Sequence, residues 1–164
     1  MVMLQSLLLA MAIHLPAAQD PVDQQYNAYR QFQLKDLQRV KIKINDKHEL
    51  NAWVMDTNAK RQEGMMFLKE KDFTEADAMV FVFKEEQYLR FWMRNTYVPL
   101  DIAYVTKTGK ANTIYTMKAF DETTDFSSAE ESMYAVEVKA GLWKKLKVIP
   151  GSKFEIPDTV KAKD

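Results

Sequence analysis

Two carboxyls, Asp101 and Glu137, stand in strand-like stretches and are the candidate acid and base of this sequence. Asp101 follows Pro99-Leu100 and opens a run of strand formers, so its side chain is carried on a rigid element. The same position suits a structural acid that accepts backbone N–H bonds or pairs with Arg94. Glu137 falls in an alternating segment, on the face opposite Tyr134, Val136 and Val138. If that face is covered, the carboxyl needs a partner, because an unpaired buried charge is costly. Within about 10 Å of each other across a cleft, the two acids would suit a hydrolase or lyase of an envelope polymer. Just before Asp101, the stretch "FWMRNTYVPLD" offers Trp92, Arg94, Asn95 and Thr96. An indole can stack on a sugar ring or apolar group, a guanidinium can pair with a carboxylate, and Asn95 and Asp101 can orient hydroxyls, which is how a small polar ligand is held. In a strand, Phe91 and Met93 point one way and Trp92 and Arg94 the other, so the stretch can serve core and site together. Asn95 and Thr96 then turn the chain.

Other chemistries are excluded or weak. The four Gly are too dispersed for a phosphate loop or dinucleotide fingerprint. With no Cys there is no disulfide, thiolate metal site, lipobox anchor or Cys nucleophile. Of the two His, His14 lies in the N-terminal apolar segment and His48 at a hairpin start, where a surface His is the ordinary reading. "DETTD" (121–125) clusters oxygen ligands without the spacing or turn glycine of an EF-hand, as a solvated loop does. Among the ten Met, Met65, Met66, Met79 and Met93 are conceivable copper ligands, but they sit at helix and strand positions where Met fills core. No metal and no cofactor is implied. Lys+Arg and Asp+Glu are both 23, giving no net field for nucleic acid.

The elements that position these residues can be read from periodicity. At 164 residues and 47% hydrophobic content, one domain with a real core is expected. The apolar run from Leu7 to Ile13, followed by Pro16-Ala17-Ala18, predicts a secretory signal peptide over 1–18, and hence a periplasmic or extracellular protein. The run is too short to span a bilayer. Residues 19–37 read as a linker or helical arm, with Tyr26, Tyr29 and Phe32 at helical spacing. A hairpin spans Val40–Val54 around Asn45-Asp46, Thr57 caps a helix interrupted by Gly64, and "AMVFVF" (78–83) is a strand covered on both faces. "YLRFWM", "DIAYV", "ANTIYTM" and the segment around Tyr134–Val138 add strands, and Gly109 turns between the second and third of these. "AGLWKKLK" gives a short helix and "KFEI" a closing strand. The sum over 38–157 is a single α+β domain, a curled, mainly antiparallel sheet of roughly eight short strands with two or three helices. A polar tail, 158–164, is expected to fray.

"GMMF", "AMVFVF", "FWMRNTYVPLDIAYV" with Gly109 beyond it, "AVEVKAG" and "IPG" follow one another in an order and spacing that resembles the domain of unknown function 192 family, over about residues 38–157. The resemblance implies a compact α+β domain, often behind a signal peptide or anchor, and no known activity. It maps Met66, Trp92, Met93, Arg94, Asn95, Thr96, Pro99, Asp101, Glu137 and Gly141 onto family motif positions. Ala78 stands where the family usually has Gly, and 118–128 lacks its usual Pro. Three readings follow: a non-enzymatic domain binding a small ligand or envelope component through Trp92, Arg94, Asn95, Thr96 and Asp101; a hydrolase or lyase using Asp101 and Glu137; and a module docking a protein through exposed apolar surface.

Overall fold

The computed structural model describes residues 27–164; the segment 1–18, expected to be a signal peptide, lies outside the described residues. The expected hairpin is formed by β1 (Arg39–Ile44) and β2 (His48–Met55), with Ile42 opposite Leu50. Its turn places Asn45 and Asp46 at φ 52° and 54°, a left-handed conformation these residue types tolerate better than most. Thr57 accepts a hydrogen bond from Lys60 N and starts α1 (Asn58–Glu63), which ends at Gly64 with φ 47°. The chain then crosses over to β3 (Asp77–Gln87), which pairs with β2 in parallel.

Beyond it come β4 (Arg90–Phe91), β5 (Leu100–Val105), β6 (Ala111–Met117), β7 (Phe126–Ser127), β8 (Ser132–Lys139), α2 (Leu142–Lys145) and β9 (Phe154–Glu155). Seven strands make one sheet in the order β6-β5-β8-β3-β2-β1-β9, antiparallel except for β2 and β3, while β4 and β7 form a separate ribbon. The sheet is buried on both faces, as the apolar run 78–83 requires. On one face Trp53, Met79, Phe81, Ile102 and Tyr104 pack under Leu68, Phe73 and Met93. On the other, residues of both outer strands (Phe154, Ile44, Ala111) join Val80, Val136 and Trp143 in one cluster, so the sheet curls around this second core. The curl closes at one end: Phe154 N donates to Gly109 O at 2.7 Å and Ala111 N to Ser152 O at 2.9 Å.

Three expectations need correction. "YLRFWM" is a strand only at Arg90–Phe91; Trp92 and Met93 leave the ribbon, although exposed Trp92 and buried Met93 keep the alternation of sides. Among the described residues of the arm there is no α-helix, only a 3-10 turn at Leu34–Asp36, because buried Arg30 holds the segment by bonding Gly64 O (2.9 Å) and Met66 O (2.6 Å). The tail does not fray. Val160 is buried, Lys163 N donates to Asp56 O at 2.8 Å, and Asp164 pairs with Arg61 at 2.8 Å.

Gly109 sits at φ 81°, and a Cβ there would lie 2.3 Å from Phe154 O, inside the sheet closure. Gly109→Ala is therefore expected to lower stability by about 3 kcal/mol. Urea denaturation should show a lower midpoint with an unchanged slope.

Candidate functional site

The sheet face carrying Trp53 and Met79 also carries Glu137. Trp53, Met79, Glu137, Ile102 and Tyr115 stand in register across β2, β3, β8, β5 and β6. Above Glu137 the covering layer opens into a cleft of about 570 Å³. Its floor includes Phe81 and Glu137; one wall is α1 with the Gly64–Met66 turn, and the other is Phe91, Trp92 and Thr96, with Glu122 and Thr124 beside them. Phe91 is fixed edge-on against Phe81 at 4.8 Å between ring centres, and against Tyr104 at 5.8 Å. Gly64 lets α1 come down onto the Phe81 ring, whose Cζ would be 3.1 Å from any Cβ at that position.

Glu137 is 3% exposed, and no donor among the described residues bonds its carboxyl. Burial alone pushes its pKa up to about 8, so the group is largely protonated at neutral pH. This is an ionisable group opening into a cavity with its hydrogen-bonding capacity unspent, a hallmark of sites rather than of scaffolds. Neighbouring Tyr104 is also pushed up, by burial first and by Glu137 second, and its hydroxyl donates to Phe126 O.

Asp101 is as buried, at 2% exposure, but differently used. It alternates with Leu100 and Ile102 on β5 and so points to the opposite face. There it accepts from Thr116 Oγ1 at 2.7 Å and from Trp143 N at 3.0 Å, capping the first turn of α2 from outside the helix. A mechanism that pairs Asp101 with Glu137 needs both in one cleft, and the sheet lies between them.

The remaining candidates divide. Trp92 and Thr96 line the cleft with Glu137. Trp92 is 51% exposed at the rim, and the Arg94 guanidinium stands 5.6 Å from its ring centre, outside the cleft lining. Asn95 takes the left-handed turn at φ 52°, and its carbonyl accepts from Phe67 N at 2.9 Å. It shapes the wall without lining it. Thr96 Oγ1 bonds Arg94 O at 3.2 Å, and its carbonyl accepts from Phe120 N, tying the rim to the following loop. In "DETTD", Asp121 accepts from the amides and hydroxyls of Thr123 and Thr124, which hold its carboxylate well below the usual range. Those oxygens are spent within the chain. Among the described residues no group of three or more His, Cys, Asp or Glu is placed to hold a metal.

Sequence reasoning missed Arg61, Met65, Phe81, Phe83, Arg90, Phe91 and Glu122 as cleft residues. A strand apolar on both faces carries no periodic sign of which residues face a cavity, so Phe81 and Phe83 were indistinguishable from Val80 and Val82.

The family model for DUF192, described as "Uncharacterized ACR", matches residues 40–156. The chain belongs to this uncharacterised family. Two solved structures share the fold. One, from Novosphingobium aromaticivorans, is a protein of unknown function, 26% identical, with a TM-score of 0.70 over 85% of this chain and 99% of that one. The other, from Sinorhizobium meliloti, is provisionally described as a transcription regulator, 27% identical, with a TM-score of 0.68 over 73% of this chain and 94% of that one. No curated protein matches.

The two buried acids should respond oppositely to substitution. Asp101→Ala strands the buried Trp143 N–H and removes the Thr116 hydrogen bond, and should destabilise by about 2 kcal/mol. Glu137 binds its proton more tightly folded than unfolded, so its contribution is complete below pH 4.5, its ordinary value, and is lost as pH rises to about 8. Between pH 4.5 and 7 that loss is on the order of 3 kcal/mol. Glu137→Gln should remove this slope, read from denaturation midpoints across that range.

Proposed function

We propose that this protein is a non-enzymatic accessory domain of the cell envelope that binds a small ligand in the cleft above Glu137. The observation that carries the reading is the Glu137 carboxyl, buried, without an intramolecular partner among the described residues, and open to a cavity of ligand size. Aromatic walls supply apolar contact area, while Glu137 and Thr96 supply the few polar groups that orient a guest. The binding role of Trp92 is to close the ligand's outer face by stacking. Thr96 shapes the rim, and Arg94 and Asn95 hold Trp92 and the turn behind it. Asp101 acts at a distance, by fixing α2.

Export is supported by the apolar run and small-residue zone of residues 7–18. It predicts a mature N-terminus after Ala17 or Ala18, which mass spectrometry of protein recovered outside the cytoplasm would read directly. A regulator of transcription is not favoured, because the balanced charge provides no net attraction to a phosphate backbone. No helix among the described residues is long and apolar enough to cross a membrane.

The test is a thermal-shift panel of sugars, peptidoglycan fragments, carboxylates and amines on wild type and Trp92→Ala. A ligand at 100 times its Kd should add about 2.7 kcal/mol. In a domain of this size that raises Tm by roughly 5 to 10 °C. The shift should vanish in Trp92→Ala, whose unliganded Tm should stay close to wild type because the indole is half exposed. A ligand bound equally by both proteins would move the site elsewhere.

A further inference from the structure

The ion pairs around the cleft leave two of its carboxyls without a partner. Arg61, in one wall, is paired with Asp164 at 2.8 Å, and Arg90, at the mouth, with Asp125 at 3.3 Å. Glu63, also in the lining, pairs with Arg30 at 3.3 Å and accepts from Gln31 N and Phe32 N. Every guanidinium lining the cleft thus has its own carboxylate. Two lining carboxyls, Glu137 on the floor and Glu122 in the loop beside the mouth, have no salt-bridge partner among the described residues. Arg94 stands over Trp92 in solvent, where its charge is screened. The surface between the two free acids is made of the rings of Phe81, Phe83, Phe91 and Trp92; Arg61 already stands over Phe83 at 4.9 Å and Arg94 over Trp92, so the wall offers a ligand mainly apolar contact.

We infer that the ligand is an organic ammonium ion, a primary amine on an apolar body, seated with its nitrogen on the Glu137 carboxylate and its body along the aromatic wall. The inference rests on the cleft being the ligand site. A neutral ligand with only acceptors could take one bond from a protonated Glu137 and would leave the carboxyl's other oxygen unsatisfied. An ammonium group carries three donors and satisfies both oxygens of the carboxylate. Its charge also restores what burial withdraws from the anion, and the surrounding low dielectric strengthens the pair.

Binding then releases one proton: Glu137 loses it to solvent, and the ammonium keeps its own. With Glu137 titrating at about 8 in the empty cleft, affinity for an ammonium compound must rise as pH rises from 6 to 8. The charged and titratable groups facing this carboxyl are Tyr104 on β5, Arg61 and Glu63 on α1, Arg90 on β4 and Glu122 in the loop. Lys139, on its own strand, is paired with Glu70, and Asp77 on β3 with Arg39.

The experiment is isothermal titration of the full chain with 2-phenylethylammonium, benzyl alcohol and phenylacetate, at pH 6, 7 and 8 and in buffers of different protonation enthalpy. The ammonium compound alone should bind, with a Kd that falls more than tenfold from pH 6 to pH 8 and a proton released on binding. Glu137→Gln should abolish that binding while remaining folded by circular dichroism. Glu122→Gln should weaken it a few-fold without changing its pH dependence. Equal binding of the alcohol or the carboxylate, an affinity that does not change with pH, binding retained in Glu137→Gln, or no binding of the ammonium compound would each overturn the inference. A neutral or anionic ligand found in the broader panel and lost in Trp92→Ala would leave the cleft as the site and remove only the amine. Silence in both panels would remove both.

Discussion

A carboxyl fixed in the middle of a seven-stranded sheet cannot turn to water, and the covering layer above Glu137 is arranged around that fact. β8 pairs with β3 on one side and β5 on the other, and from Tyr134 to Glu137 both pairings are regular, which fixes Glu137 opposite Met79 and Ile102; the register shift of β3 lies beyond Val82. A one-residue slip would carry the carboxyl into the second core and turn Val136 and Val138 out of it. Large apolar residues occupy the neighbouring positions, and none supplies a donor. The carboxyl is therefore held protonated by burial at neutral pH, and its hydrogen-bonding capacity faces the void above it.

That void exists because the layer is stapled at its edges rather than packed across its centre. Arg30 reaches from the N-terminal arm to the carbonyls of Gly64 and Met66, satisfying acceptors of the turn that follows α1. Asp164 holds Arg61 from the other end of the chain, and the left-handed turn at Asn95 carries Phe67 N on its carbonyl. Phe67 and Phe120 themselves sit at φ 65° and 59°, unfavourable for large side chains, and Asn95 and Thr96 accept their amides. These left-handed residues stand behind the cleft lining, and their backbone bonds hold the two walls in place.

Local chemistry made much of the fold readable. The hairpin followed from two alternating runs around Asn-Asp, α1 from a Thr cap and a Gly stop, and β3 from a run too apolar for a half-exposed strand. What escaped were features set by distant partners. The arm looked helical because Tyr29 and Phe32 are spaced for it, yet a buried guanidinium drew its backbone elsewhere. β7 is two residues long and exists only as the partner of β4. The tail is polar, but its polarity is what binds it: Lys163 and Asp164 reach Asp56 and Arg61, contacts that no window of sequence contains.

The same limit separates the two acids. Asp101 and Glu137 look alike in sequence, each in a strand and each a motif position of the family. Strand parity puts both side chains under cover without saying what covers them. Over Asp101 lies the start of a helix, whose free N–H groups need an acceptor, so the carboxylate and the helix satisfy each other. Over Glu137 lies a cavity bounded by rings, with both lining guanidiniums, Arg61 and Arg90, already paired. Burial is nearly equal for the two, so burial does not distinguish scaffold from site. The difference is whether folding alone completes the hydrogen bonds of the group, and for Glu137 it does not.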